Sequence, residues 1–99
     1  MKILVLPRRR AGVPLEAFQP HVTAEIQAVW DLYAQGICRE FYARADQVGP
    51  AVLTLECASI EAAQAALATL PMVELGLLDL DLIPLAPFTP LTHLFQASS

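Results

Sequence analysis

The chain reads as an α+β domain in the order strand, helix, strand, strand, helix, strand, and three observations predict it. Residues 1–7, MKILVLP, are a nearly continuous apolar run of strand length. Between Leu15 and Tyr33 the apolar residues recur at close to 3.6, the period of an amphipathic helix. A second capped helix, Ser59 to Leu70, runs through Pro71 into LLDLDLIPL, which alternates as a strand does. With a hairpin between the two helices, this is the order of a ferredoxin-like domain, whose four strands form one antiparallel sheet.

Each element has its own signals. Pro7 ends the first apolar run, which suits a central strand covered on both faces, and Arg8 to Gly12 reads as a loop. Pro20 is incompatible with a helix interior, so the spacing predicts a short turn at Pro14 to Phe18 and a main helix from Pro20, ended by Gly36. Ile37 to Arg44 and Pro50 to Cys57 form the hairpin, joined through Ala45 to Gly49. Matching apolar faces puts Ile37, Arg39, Phe41 and Ala43 beside Ala51, Leu53, Leu55 and Cys57, under the helices. The opposite face then carries Cys38, Glu40, Tyr42, Arg44, Val52, Thr54 and Glu56, with the two cysteines on different faces. Ser59 is the expected N-cap of the second helix, and Ile60, Ala63, Leu67 and Leu70 its buried stripe. Residues 1–87 make the domain, and residues 88–99 a C-terminal arm without helix or strand period whose anchors Phe88, Leu91, Leu94 and Phe95 suit docking on a partner subunit.

Composition narrows the function classes. Ninety-nine residues bury one core. At 56% hydrophobic and 16% charged, the chain is too apolar to cover its surface alone, which favours self-association as a dimer or larger oligomer. A net charge of -4, with no basic stripe beyond Arg8, Arg9 and Arg10, argues against nucleic acid. The start places its apolar run before its basic cluster, the reverse of a signal peptide, and the run is too short to span a bilayer; a cytoplasmic protein with no membrane partner is expected. Cys38 and Cys57 form neither a CxxC pair nor a Cys/His cluster, so reduced, buried thiols are expected. Asp79 and Asp81 share a strand face but have too few oxygen partners for a metal, and a subunit-interface or solvent-edge place suits them. No phosphate loop or haem-ligand pattern is present, and no cofactor is expected.

Several residues suit a small-molecule site. Arg39 is the only charge expected on the helix-facing side of the hairpin, where its guanidinium would hold a carboxylate or pair with an internal acid such as Glu25. Glu25 and, one turn earlier, His21 set a carboxylate beside an imidazole, a pair suited either to proton transfer at neutral pH or to solvated first-turn positions of the helix. Trp30, Tyr33 and Tyr42 would line a pocket for a planar ligand or simply pack.

The segment GICREFYAR, the helix SIEAAQAALATL and the run LPMVELGLLDLDLIPL together resemble the muconolactone isomerase-like branch of the dimeric α+β barrel superfamily, over roughly residues 20–87. The resemblance implies sheets paired back to back, a ligand cavity between sheet and helices, an arginine at Arg39 and a glutamate at Glu25. It implies a cofactor-independent isomerase of an organic acid or lactone, with Arg39 holding the carboxylate and Glu25 or His21 moving the proton. A non-catalytic binding or assembly module and a cofactor-free monooxygenase are the alternatives on the same fold.

Overall fold

The first strand is longer than its proline suggests. In the computed structural model, which describes residues 1–96, β1 spans Lys2–Arg9 and continues through Pro7. Cys57 N–H donates to the Met1 carbonyl on the β3 side, whereas Arg10 N–H donates to Leu77 at the start of β4. Backbone groups alternate sides along a strand, so the odd residues, Pro7 included, face β3. Pairing with β3 ends at Val5↔Leu53, before Pro7 is reached. The missing N–H therefore costs no ladder bond, which is the condition under which a strand admits proline. Arg8 and Arg9 belong to the strand instead of the expected loop.

A 3-10 segment, Leu15–His21, absorbs Pro20, and α1 follows over Val22–Ala34. Gly36 ends α1 with φ 78°, a left-handed conformation that glycine adopts without a Cβ clash. The hairpin strands are β2, Cys38–Tyr42, and β3, Val52–Glu56, shorter than expected and separated by a longer connection. The second helix, α2, spans Ile60–Leu67, and the Ser59 side chain accepts from Ala62 N–H at 3.0 Å as its N-cap. Pro71 both stops this region and opens a one-turn helix, α3, Pro71–Glu74. The last strand, β4, covers Leu78–Leu85. The sheet order is β2-β3-β1-β4, with antiparallel neighbours throughout, the ferredoxin-like arrangement.

Register sorts the two faces. Ile3, Val5, Cys38, Leu53, Leu55 and Leu78 lie under the helices and are buried, together with Leu32 of α1 and Ala63 and Leu67 of α2. Lys2, Leu4, Leu6 and Arg8 point to the opposite, outer face, with Thr54, Asp81, Ile83 and Leu85 as their cross-strand partners and neighbours. That outer face has an apolar middle and a rim of ion pairs: Arg8 to Asp81, Arg10 to Asp79, and Lys2 to Glu40.

One irregularity changes the expected hairpin faces. The β2–β3 register shifts between Cys38 and Glu40: Cys38 pairs with Leu55, Glu40 with Thr54, and Phe41 with Leu53. Arg39 is the extra residue of this bulge, and two consecutive residues therefore oppose one on the partner. Phe41 keeps its helix-facing place, but Cys38 turns into the core and is fully buried, while Arg39 is exposed. Cys57 also packs against the core, so the two cysteines do not sit on opposite faces; both are free thiols.

The arm has more order than its sequence suggests. Thr89–Phe95 is a 3-10 helix, opened by Pro90 and tied by Thr92 Oγ1 donating to the Thr89 carbonyl at 2.8 Å. Among the described residues it makes no substantial contact with any other element, and Phe88 and Phe95 are 73% and 80% exposed. The molecule is 63 Å long, with a radius of gyration of 16.6 Å against about 13 Å for a compact chain of this size. Residues 97–99 of the expected arm lie outside the described residues.

Candidate functional site

The helices do not cover the whole sheet. At the end of the sheet where β3 no longer flanks β1, a cleft of about 820 Å³ opens between the sheet and the helical layer. Its floor is Val5, Pro7 and Arg9 of β1, Leu53 of β3, and Leu78 and Leu80 of β4. One wall is α1, through Val22, Glu25, Ile26, Val29 and Trp30, extended by Leu15 and Phe18 of the preceding 3-10 segment. The other runs from Leu67 and Leu70 to Met72 at the start of α3. Phe41 and the β2–β3 connection, residues 47–51, close the side that β3 leaves open. A mostly apolar concavity with a few polar groups is the usual form of a small-molecule site.

Glu25 is the carboxylate of this cleft. Its Oε1 accepts from Met72 N–H at 2.9 Å, satisfying a donor in the first turn of α3 that no nearby side chain caps. Burial among apolar neighbours pushes its pKa above the ordinary glutamate range, against the opposing effects of the Met72 bond and of nearby His21. A carboxyl held by one hydrogen bond, with its charge disfavoured by its surroundings, is suited to take and return a proton. His21 stands at the N-cap of α1 and does not line the cleft, although its charge is felt at Glu25.

The aromatic candidates divide. Trp30 faces the cleft at 55% exposure. Tyr33, one turn later, lies outside the lining but supports it: its ring sits 5.3 Å from Trp30 and meets Phe41 edge-on at 5.5 Å. Tyr42 is on the outer face, donating to Glu40 Oε2 at 3.0 Å. Glu40 also accepts from Thr54 Oγ1, and these two hydrogen bonds hold its carboxyl below the usual range.

Arg39 is not in the cleft. The bulge carries it out of the helix-facing row, and its Nε donates to the Gly36 carbonyl at 2.6 Å, capping the end of α1. Arg8 and Arg9 both border the cleft, but Arg8 is held by Asp81, so the unneutralised positive charge of the cleft is Arg9, opposite Leu78 on the helix-facing side of β1, a residue that its sequence assigned to a loop. The signal that would have found it is the alternation of the Arg8, Arg9, Arg10 triplet once the strand is carried past Pro7. Among the described residues no group of histidine, cysteine and acidic side chains is placed to hold a metal ion, and no helix is long and apolar enough to cross a membrane.

No protein-family model matches the chain, and no curated protein matches it in sequence. Six chains of solved structures match it in fold. Among them is 5-chloro-2-hydroxyhydroquinone dehydrochlorinase (TftG) from Burkholderia phenoliruptrix AC1100, in complex with 2,5-dihydroxybenzoquinone. The two share 15% of residues in sequence and superpose with a TM-score of 0.69, over 87% of this chain and 94% of that one. The shared fold is the ferredoxin-like α+β fold, one four-stranded antiparallel sheet with helices on one face.

Proposed function

We propose that this chain is a cofactor-independent enzyme of the muconolactone isomerase-like branch, acting on a small organic acid or lactone, with Glu25 as the proton carrier. The observation that carries the reading is the Glu25 carboxyl itself, half-buried in the wall of an apolar cleft large enough for such a ligand. The fold shared with an enzyme whose structure contains a small quinone supports a small-molecule reaction. In the step envisaged, the Glu25 carboxylate removes a proton from carbon next to the carbonyl. The electron pair moves through the adjacent ring double bond into a dienolate, and the proton returns to the far carbon of that bond, two carbons away, so that the double bond shifts by one position. Electrons and atoms balance without an oxidant, and the carboxylate is regenerated. His21, whose charge acts on Glu25, favours the ionised form.

The Met72 hydrogen bond also favours a second reading, in which Glu25 is a structural cap in a binding module without chemistry. Glutamine separates the two. Glu25→Gln keeps an amide oxygen to accept from Met72 but cannot carry the proton. Unsaturated γ-lactone acids incubated in deuterium oxide with wild type should exchange ring hydrogens, followed by NMR, and Glu25→Gln should lose that exchange while melting close to wild type. Exchange at an unchanged rate in the variant would make Glu25 a cap with no part in the proton transfer, and exchange in wild type no faster than without protein would leave the module reading in place.

The same proposal includes pairing of two subunits through the outer sheet face, with the arm of residues 88–99 docking on the partner. The apolar middle of that face, with Leu4, Leu6 and Ile83, and the exposed apolar side chains of the arm both favour it.

A further inference from the structure

The three consecutive arginines at the end of β1 have different fates. Alternation along the strand sends Arg8 and Arg10 to the outer face, where Asp81 and Asp79 neutralise them. Arg9 goes to the other face, over the cleft floor, and among the described residues it has neither an ion pair nor a side-chain hydrogen bond. The acid that shares the cleft does not serve it: Glu25 is engaged with Met72 and lies beyond ion-pair distance. The Arg9 backbone N–H, on the odd-numbered side of β1, points to where β3 no longer pairs. An apolar concavity thus carries one uncompensated guanidinium on its floor, opposite a wall of Ile26 and Trp30.

Resting on the small-molecule reading above, we infer that Arg9 is the anion anchor of this cleft and that its ligands are small organic acids with an apolar body. The guanidinium fork takes the carboxylate in paired hydrogen bonds. The apolar part of the ligand then lies along the α1 wall, with Trp30 at its far end and Glu25 beside it. A neutral ligand of the same shape leaves Arg9 solvated and gains only the apolar contact. Arg9 is a positioning residue for the anion, and the acid–base work stays with Glu25.

Trp30 is the only tryptophan in the chain, so its fluorescence reports occupancy of the cleft directly. The full-length protein is titrated at neutral pH with 3-phenylpropionate and with its uncharged amide, 3-phenylpropanamide. Wild type should bind the acid at least roughly tenfold more tightly than the amide, the size expected of a charge-assisted hydrogen bond. Arg9→Gln should bring that ratio close to one without weakening the amide, Arg9→Lys should keep part of it, and Arg10→Gln should keep all of it. An acid preference that survives Arg9→Gln, or that is absent from wild type while the amide binds, overturns the role of Arg9 and leaves the cleft reading intact. Binding of neither compound to wild type overturns both. Arg9 is exposed, so Arg9→Gln should melt with wild type; if it does not fold, the ratio in Arg9→Lys against Arg10→Gln decides.

Discussion

At the scale of single residues, the cleft is governed by which side chains are compensated. Burial raises the Glu25 pKa, with Met72 and His21 opposing, so the folded protein holds this proton at pH values where the unfolded chain has released it. Stability contributed by neutral Glu25 is therefore complete below the ordinary glutamate range and falls as pH climbs through the window up to the raised value. Glutamine has no proton to lose, so Glu25→Gln should gain on wild type as pH rises through that window, measured by urea melts of both across acid to neutral pH. A difference flat with pH would mean that burial does not shift this carboxyl. Arg39→Ala, by contrast, removes an exposed side chain bonded only to the Gly36 carbonyl, and its thermal melt should shift by no more than the effect of about 0.5 kcal/mol usual at surface positions. A loss of several kcal/mol would restore Arg39 to the buried pair that its place in the sequence suggested. The helical period put Glu25 and Trp30 on the wall of the cleft, because in a helix spacing decides the face. Arg39 and Cys38 were misplaced because one extra residue in β2 inverts the alternation, and no residue in CREFY announces a bulge.

At the scale of elements, most boundaries were legible and the exceptions share a cause. Ser59, Gly36 and Pro71 act through local backbone chemistry, and each stands where the sequence placed it. Ser59→Ala should cost about 1 kcal/mol, since Ala62 N–H loses its acceptor; a denaturant midpoint unchanged from wild type would show that water replaces the cap without loss. Pro7 misled because its effect depends on a neighbour: it would end a strand paired on both sides, but the partner on its nitrogen side has already ended. The same missing partner opens the cleft floor, so the element that was read too short is the one that holds Arg9. The one-turn α3 was likewise invisible, for its first turn is capped by Glu25, 47 residues away in sequence.

At the scale of the molecule, the outer sheet face and the arm are apolar surfaces that the single chain leaves uncovered. Leu4 lies between Thr54 and Ile83 on that face, and Leu4→Asp should convert a dimer seen by light scattering at micromolar concentration into a monomer. Wild type running as a monomer would remove the pairing proposal, and deletion of residues 88–99 should weaken the dimer if the arm contributes to it. The order β2-β3-β1-β4 also has a consequence for how the protein is made. The longest ladder joins the first strand to the last, Lys2 opposite Leu85 and Arg9 opposite Leu78. On the ribosome, β1 emerges before every other element of the sheet and waits for the hairpin and the helices before its principal neighbour exists. The hairpin and its helices can gather early, but the sheet closes only after residue 85 has left the exit tunnel, so the apolar stretch at the start is the segment a nascent-chain chaperone would meet.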